Sequence, residues 1–126
     1  ITFLTFRKKA EKVKNNLLAF LIEQKTIGKS VVGYGAAAKG NTLLNYGGIK
    51  SDLLPYVCDA APSKQGKFLP GSHIPIVKPS QLESIESLDY LIIFPWNISS
   101  EIIGSLGFLK DRGVKFVTAI PSLTIL

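Results

Sequence analysis

A chain of 126 residues, 46% of them hydrophobic, is one domain's worth of polypeptide with enough apolar side chains to fill a core. Its charged fraction of 19% lies below the usual share of about 25%, which excludes a disordered, self-repelling segment. The net charge of +6 permits an anionic partner, but the basic residues cluster between Arg7 and Lys29 and stand singly elsewhere. No interleaving of basic and aromatic residues of the RNA-recognition kind goes with them, so no nucleic acid is expected. The cluster reads as a solvated helix face, or as a docking face for a small anion or an acidic partner.

The single cysteine, Cys58, excludes an intrachain disulfide, and one cysteine with one histidine makes no all-protein zinc site. No metal is expected in this chain. No apolar run approaches the roughly 20 residues of a membrane span, and no secretory signal is visible, so a cytoplasmic protein without membrane contact is expected. The sequence holds no methionine and opens inside a helical pattern. It is therefore expected to be a piece of a longer polypeptide.

From Thr5 to Lys25 the pattern is helical. Val13, Leu17, Leu18, Leu21 and Ile22 recur at three- and four-residue spacing, with Lys8, Lys9, Glu11, Lys12 and Lys14 around the other face. Gly28 is the stop signal. "KSVVGYG" reads as a short buried strand running into a glycine turn. Ala36 to Leu44 reads as a helix ended by Gly47 and Gly48. "LLPYVCD" is a second strand closed by Asp59, with Pro55 near its start, where a missing N–H is tolerated. "AAPSKQGKFLPGSH" is a loop, and "IPIVKP" a brief third strand. "PSQLESI" is a short helix with Pro79 at its first turn. "DYLIIFP" is the fourth strand. "NISSEIIGSLGFLKDRG" reads as one helix with Ile98, Ile102, Leu106 and Leu109 on a shared face and Gly113 as its stop. "VKFVTAIP" is the fifth strand.

Strands that alternate with helices and are hydrophobic almost throughout predict a mainly parallel sheet covered on both faces. The expected fold is α/β: a Rossmann-like, doubly wound, mainly parallel five-stranded sheet flanked by helices, with an additional N-terminal helix. The expected division is a connecting helix over residues 1–28 and a Rossmann-like domain over residues 29–126.

Gly33, Gly35 and Ala38 match G-x-G-x-x-A between a strand and a helix, the setting in which that pattern has physical meaning. Gly33 allows the turn, Gly35 lets the backbone approach a pyrophosphate, and Ala38 lets the helix pack close to its strand. Asp59 follows Ala38 by about 20 residues at the end of the second strand, where a dinucleotide fold keeps its ribose-binding carboxylate. The same turn also occurs for packing alone. Lys39 is a cation in the first turn of a helix, unfavourable there unless an anion is also present. It is either a phosphate ligand or a solvent-facing lysine. Asn41 and Thr42 either bind a ligand or cap the helix.

Lys64, Gln65, Ser72 and His73 lie in the loop after the second strand, at the crevice where open α/β sheets take ligands. His73 is read as a ligand or backbone contact more than as an acid or base. Trp96 and Asn97 emerge from the fourth strand beside the glycine loop. Trp96 either stacks on a base or covers the sheet edge, and Asn97 either binds a ligand or caps the next helix. Glu101 either accepts bonds from a sugar hydroxyl or complements a helix dipole. Cys58 reads as an inert buried residue.

Three motifs in order, "GYGAAAKGNTLLNY", "DAAPSKQGKFLPGSHIPI" and "IIFPWN" followed by "SEI", resemble the C-terminal domain of the S-adenosylmethionine-dependent sugar-nucleotide C-methyltransferases. The resemblance covers about Lys29 to Pro121. It implies an enzyme of three parts: a zinc-binding region, a central domain that holds the methyl donor, and this domain. Methyl transfer would be centred on the upstream methyltransferase domain, with S-adenosylmethionine held there, so no catalytic residue is assigned here. Family members often carry threonine where this chain has Ser72, and Asp-x-Asn-Pro where it has Asp59-Ala60-Ala61-Pro62. The resemblance implies a face for a nucleoside diphosphate-sugar formed by Gly33, Tyr34, Gly35, Lys39, Asn41, Asp59, Lys64, Gln65, His73, Trp96 and Asn97. Two rivals use the same residues differently: an NAD(P)-binding oxidoreductase domain built on the glycine loop and Asp59, and a non-catalytic assembly domain docking through its basic first helix.

Overall fold

The computed structural model describes residues 2–126; Ile1, the first residue of the expected 1–28 segment, lies outside them. Helix α1 spans Phe3–Thr26, a little longer at both ends than the spacing predicts. Thr2 starts it, its Oγ1 accepting the Thr5 N–H at 3.1 Å. The buried face runs through Leu17, Phe20, Leu21 and Gln24, while Ile22, expected on that face, is largely exposed. Phe20 meets Tyr90 edge to face at 5.1 Å between ring centroids.

Strand β1 (Val31–Tyr34) leads through the glycine loop into α2 (Ala38–Tyr46). Then come β2 (Val57–Cys58), β3 (Ile76–Val77), the single-turn helix α3 (Gln81–Ser84) and β4 (Tyr90–Ile93). The helix expected after β4 is broken into three pieces: a 3₁₀ turn (Trp96–Ile98), α4 (Ser99–Ser105) and α5 (Gly107–Asp111). The break is at Leu106, whose backbone leaves the helical region between Gly104 and Gly107, two residues of poor helix propensity. Ile102, Leu106 and Leu109 stay buried, but Ile98 is exposed. Strand β5 spans Lys115–Thr118.

The sheet has six strands in the order β3-β2-β1-β4-β5-β6, one more than expected. The first five are parallel, and β6 (Thr124–Ile125) folds back antiparallel onto β5 after Pro121. Two residues of strand carry no periodic signal, so β6 is invisible to pattern reading.

Alternating side chains divide the interior into two cores. Val31, Ile92 and Val117 face the helices α1 and α2, meeting Leu17, Leu21, Leu43 and Leu44. Val32, Leu91, Ile93 and Phe116 face the other way, meeting Leu82, Ile102 and Leu109 of α3, α4 and α5. Covering on both faces is why the strands read as continuous apolar runs. No helix among the described residues is long and apolar enough to cross a membrane.

Candidate functional site

Gly33, Gly35 and Gly40 let the β1–α2 connection press against β4. A Cβ on Gly33 would stand 2.7 Å from the Phe94 ring, and one on Gly40 2.8 Å from Phe94 Cβ. Gly35 has φ +94°, a left-handed conformation, and a side chain there would run into the Pro95 ring. The glycine pattern therefore has a packing role here, with Phe94 and Pro95 filling the missing volume.

Asp59 ties this loop down. One carboxylate oxygen accepts the Ala36 N–H at 2.7 Å and the other accepts the Ala61 N–H at 2.8 Å. The Lys64 ammonium lies 3.9 Å from Asp59 and donates to the Ala36 carbonyl at 3.0 Å. The Gln65 amide donates to the Asp59 carbonyl at 2.9 Å. Asp59, Lys64 and Gln65 thus come together beside the glycine loop. The bonds they make are to backbone, and Asp59 is largely shielded, with 15% of its side chain exposed.

Helix α2 begins without a side-chain cap: Ala37 is its N-cap, and the first intrahelical bond is from the Asn41 N–H to the Ala37 carbonyl. Asn41 and Thr42 lie inside the helix, so neither caps it. Thr42 bonds back to the Ala38 carbonyl, and Asn41 Oδ1 is buried without a hydrogen-bond partner. The uncapped amides open on a cleft of about 420 Å³ lined by Ala37, Ala38, Lys39, Pro95, Trp96 and Asn97. None of the ion pairs among the described residues involves Lys39. Trp96 is 38% exposed at this edge. Asn97 is exposed, and neither the 3₁₀ turn nor α4 takes a side-chain cap, so its amide is not spent on the helix. Glu101 sits exposed in the first turn of α4, where its charge complements the dipole.

Two predicted residues lie elsewhere. His73 is at the opposite edge of the sheet. Residues 66–69 run back antiparallel to 74–76, with Phe68 bridged to Pro75 and the Leu69 N–H bonded to the Ile74 carbonyl at 2.8 Å. The tip of this hairpin rests on Asn45, which donates to the Pro70 carbonyl at 2.9 Å near the far end of α2, about 10 Å along the helix. His73 stacks on Phe68 there at 4.3 Å. Tyr34 points to the second core, and burial pushes its hydroxyl above the ordinary pKa, with Cys58 and Asp59 adding to the shift. Cys58 is fully buried, and desolvation pushes its thiol up to about 12, which leaves it inert.

Two features escaped sequence reading. The Ala36 peptide is the hub of the loop, bonded through both its N–H and its carbonyl. Phe94 and Pro95 form the wall under the glycines. A sequence signal exists for the Asp59–Ala61 bond, since an aspartate followed by small residues and a proline favours a turn in which the carboxylate accepts an N–H two residues on, but none exists for the bonds to Ala36.

A family model described as the C-methyltransferase C-terminal domain matches residues 1–121. C-methyltransferase NovU of Streptomyces niveus is 39% identical over 94 residues, which amount to 75% of this chain and 22% of that protein. The chain thus corresponds to a small part of the curated relative it matches.

Proposed function

The chain belongs to the family of C-methyltransferase C-terminal domains, and on that premise we propose that its glycine-loop cleft helps to bind a nucleoside diphosphate-sugar, the acceptor of an S-adenosylmethionine-dependent C-methyltransferase. One observation carries the reading: the uncapped start of α2, Lys39, Trp96 and Asn97 share a single cleft of about 420 Å³. The amides and Lys39 suit a diphosphate. Trp96 offers a ring face to a base or sugar, and Asn97 offers both donor and acceptor to hydroxyls. Gly33, Gly35, Asp59, Lys64 and Gln65 act through the loop they shape. His73 and Tyr34 take no part in this cleft.

S-adenosylmethionine supplies an electrophilic methyl group wherever it is bound, and the residues here do not fit it. The carboxylate that a ribose would need, Asp59, already holds the Ala36 and Ala61 amides and faces Lys64. The same engagement argues against an NAD(P) site. In this reading the methyl donor belongs to an upstream methyltransferase domain, residues 1–28 form the connection to it, and residues 29–126 alone transfer nothing. The strand order and the two cores support a doubly wound, Rossmann-like description of the fold. A cytoplasmic location is part of the same proposal.

Calorimetry on the 126-residue chain with a deoxythymidine diphosphate-sugar and with NADH tests it. The sugar nucleotide is expected to bind and NADH not. Lys39→Ala should weaken that binding by about 1.5–3 kcal/mol, the scale of a charge-assisted hydrogen bond. Unchanged affinity in this variant, or preferential binding of NADH, would overturn the reading.

A further inference from the structure

A second concavity, also of about 420 Å³, lies on the other side of Lys39. Its walls are apolar: Phe6 and Val13 of α1, Leu43 and Tyr46 of α2, and Ile120 and Pro121 after β5. Lys9 and Lys39 stand at its rim. Beyond it the first turn of α1 projects without cover, with Phe3 79%, Leu4 60% and Phe6 64% exposed. Apolar residues thus crowd one groove and the adjoining helix end, and a contiguous patch of that kind marks a contact surface.

We infer that this groove seats the methyl-donor domain of the C-methyltransferase to which the chain belongs, which would present an apolar surface with an acidic rim. The inference rests on the function proposed above and adds the surface through which the two parts meet. Three observations select this occupant. The matched relative extends far beyond the part that resembles this chain, which amounts to 22% of it, so that protein has ample further polypeptide to supply such a surface. The rim is basic: Lys9 and Lys39 line the groove and have no ion-pair partner among the described residues, and a carboxylate rim would complement them. Lys39 lines both the groove and the α2 cleft, so an occupant of the first stands beside a ligand in the second. A body seated there would bring its own reactive centre to the sugar nucleotide, as a shared acceptor site requires. The concavity, walled by Tyr46 and Pro121, suits a protein knob better than a flat lipid surface.

The test uses thiol labelling, because Cys58 is buried and unreactive. Phe6→Cys places a thiol at the groove, and Ile27→Cys places a control at the other end of α1, where the native residue is 59% exposed. Both variants are made in the 126-residue chain and in the complete enzyme that carries it. Iodoacetamide modification is followed by peptide mass mapping. In the complete enzyme Phe6→Cys should react roughly tenfold slower or more than in the chain, since labelling then needs a local opening. Ile27→Cys should react equally in both. Equal rates for Phe6→Cys would overturn the inference. So would protection of the isolated chain that is lost on dilution, which identifies a second copy, or protection that appears only with phosphatidylglycerol vesicles, which identifies a membrane. Sugar-nucleotide binding is measured on the same samples. Protection without binding sinks the proposed ligand and leaves the docking surface standing; binding without protection does the reverse.

Discussion

Two aspartates sit at opposite edges of the same sheet and make nearly the same bonds. Asp59, after β2, clamps the Ala36 and Ala61 amides with Lys64 at 3.9 Å. Asp89, before β4, accepts the Ser30 N–H at 2.8 Å with Lys29 at 3.9 Å. Yet the recess beside Asp89 at the lower edge is small and polar, about 160 Å³ around Lys29, Asp89 and Lys115, while the loop that Asp59 ties down at the upper edge leads into the 420 Å³ cleft. The difference lies in which helix ends arrive there. In a parallel α/β arrangement α2 presents its N-terminus at the upper edge, and α1 ends at the lower one. Free amides attract anions, whereas at the end of α1 the carbonyls of Glu23, Gln24 and Lys25 are spent on the N–H groups of Ile27, Lys29 and Gly28, and that end of the helix dipole repels anions. A tethered carboxylate with a lysine beside it is therefore scaffolding at both edges. What makes one edge a candidate site is the set of groups left unspent around it.

The contrast can be broken most severely at Gly35. Gly35→Val puts a β-branched residue at φ +94° and against Pro95, and should cost about 3–5 kcal/mol of stability in urea denaturation. A cost below about 1 kcal/mol would mean that the loop is not pressed onto β4. Next come the clamps. Asp59→Ala should lose about 3 kcal/mol and Asp89→Ala about half as much, because Asp59 is the better shielded, at 15% against 33% exposure. Urea midpoints in the reverse order would remove the asymmetry.

A third effect has no counterpart at the lower edge. Burial holds the Cys58 proton on up to about 12, whereas an unfolded thiol releases it at an ordinary pH. Above that point the folded state binds more protons than the unfolded one, so this contribution to stability is lost as pH rises. The expected slope is about 1.4 kcal/mol per pH unit from about pH 9 upward. Cys58→Ala should flatten it, as read from urea midpoints at two alkaline pH values. The smallest stability change is expected at the groups left free. Lys39→Ala should alter folding by no more than about 0.5 kcal/mol while it weakens sugar-nucleotide binding. Lys29→Ala, which removes only an exposed ion pair to Asp89, should alter folding as little and binding not at all.

The parts of this fold that could be read from sequence are those set by long periodic patterns and by strong punctuation. Leu17 and Leu21 announced α1, the run Leu91–Ile93 announced the centre of the sheet, and Gly28 and Gly113 marked helix ends. Asp59 stands out by its position after β2, and Lys39 by its charge at a helix start. What failed depended on contacts between distant residues. Ile98 reads as core only if one continuous helix follows β4, and Gly104 and Gly107 let the chain break instead. Sequence alone groups His73 with Lys64 and Gln65, because nothing in the loop's composition marks a turn away from that edge. Backbone pairing of 66–69 with 74–76, which carries no side-chain signature, takes it to the other. The roles of Phe94 and Pro95 needed the register of β1 against β4, which no local pattern encodes.

That register has a consequence for the order of assembly. Gly33 and Gly40 fit against Phe94, and Gly35 against Pro95, across a sequence separation that only a long loop closure can bridge. During synthesis, the glycine loop and the start of α2 leave the ribosome well before the strand that shapes them. The first half of the chain therefore carries the recognisable motif with no surface to mould it. The cleft comes into being late, once β4 has docked between β1 and β5, and any truncation upstream of Phe94 would keep the signature in the sequence while losing the site.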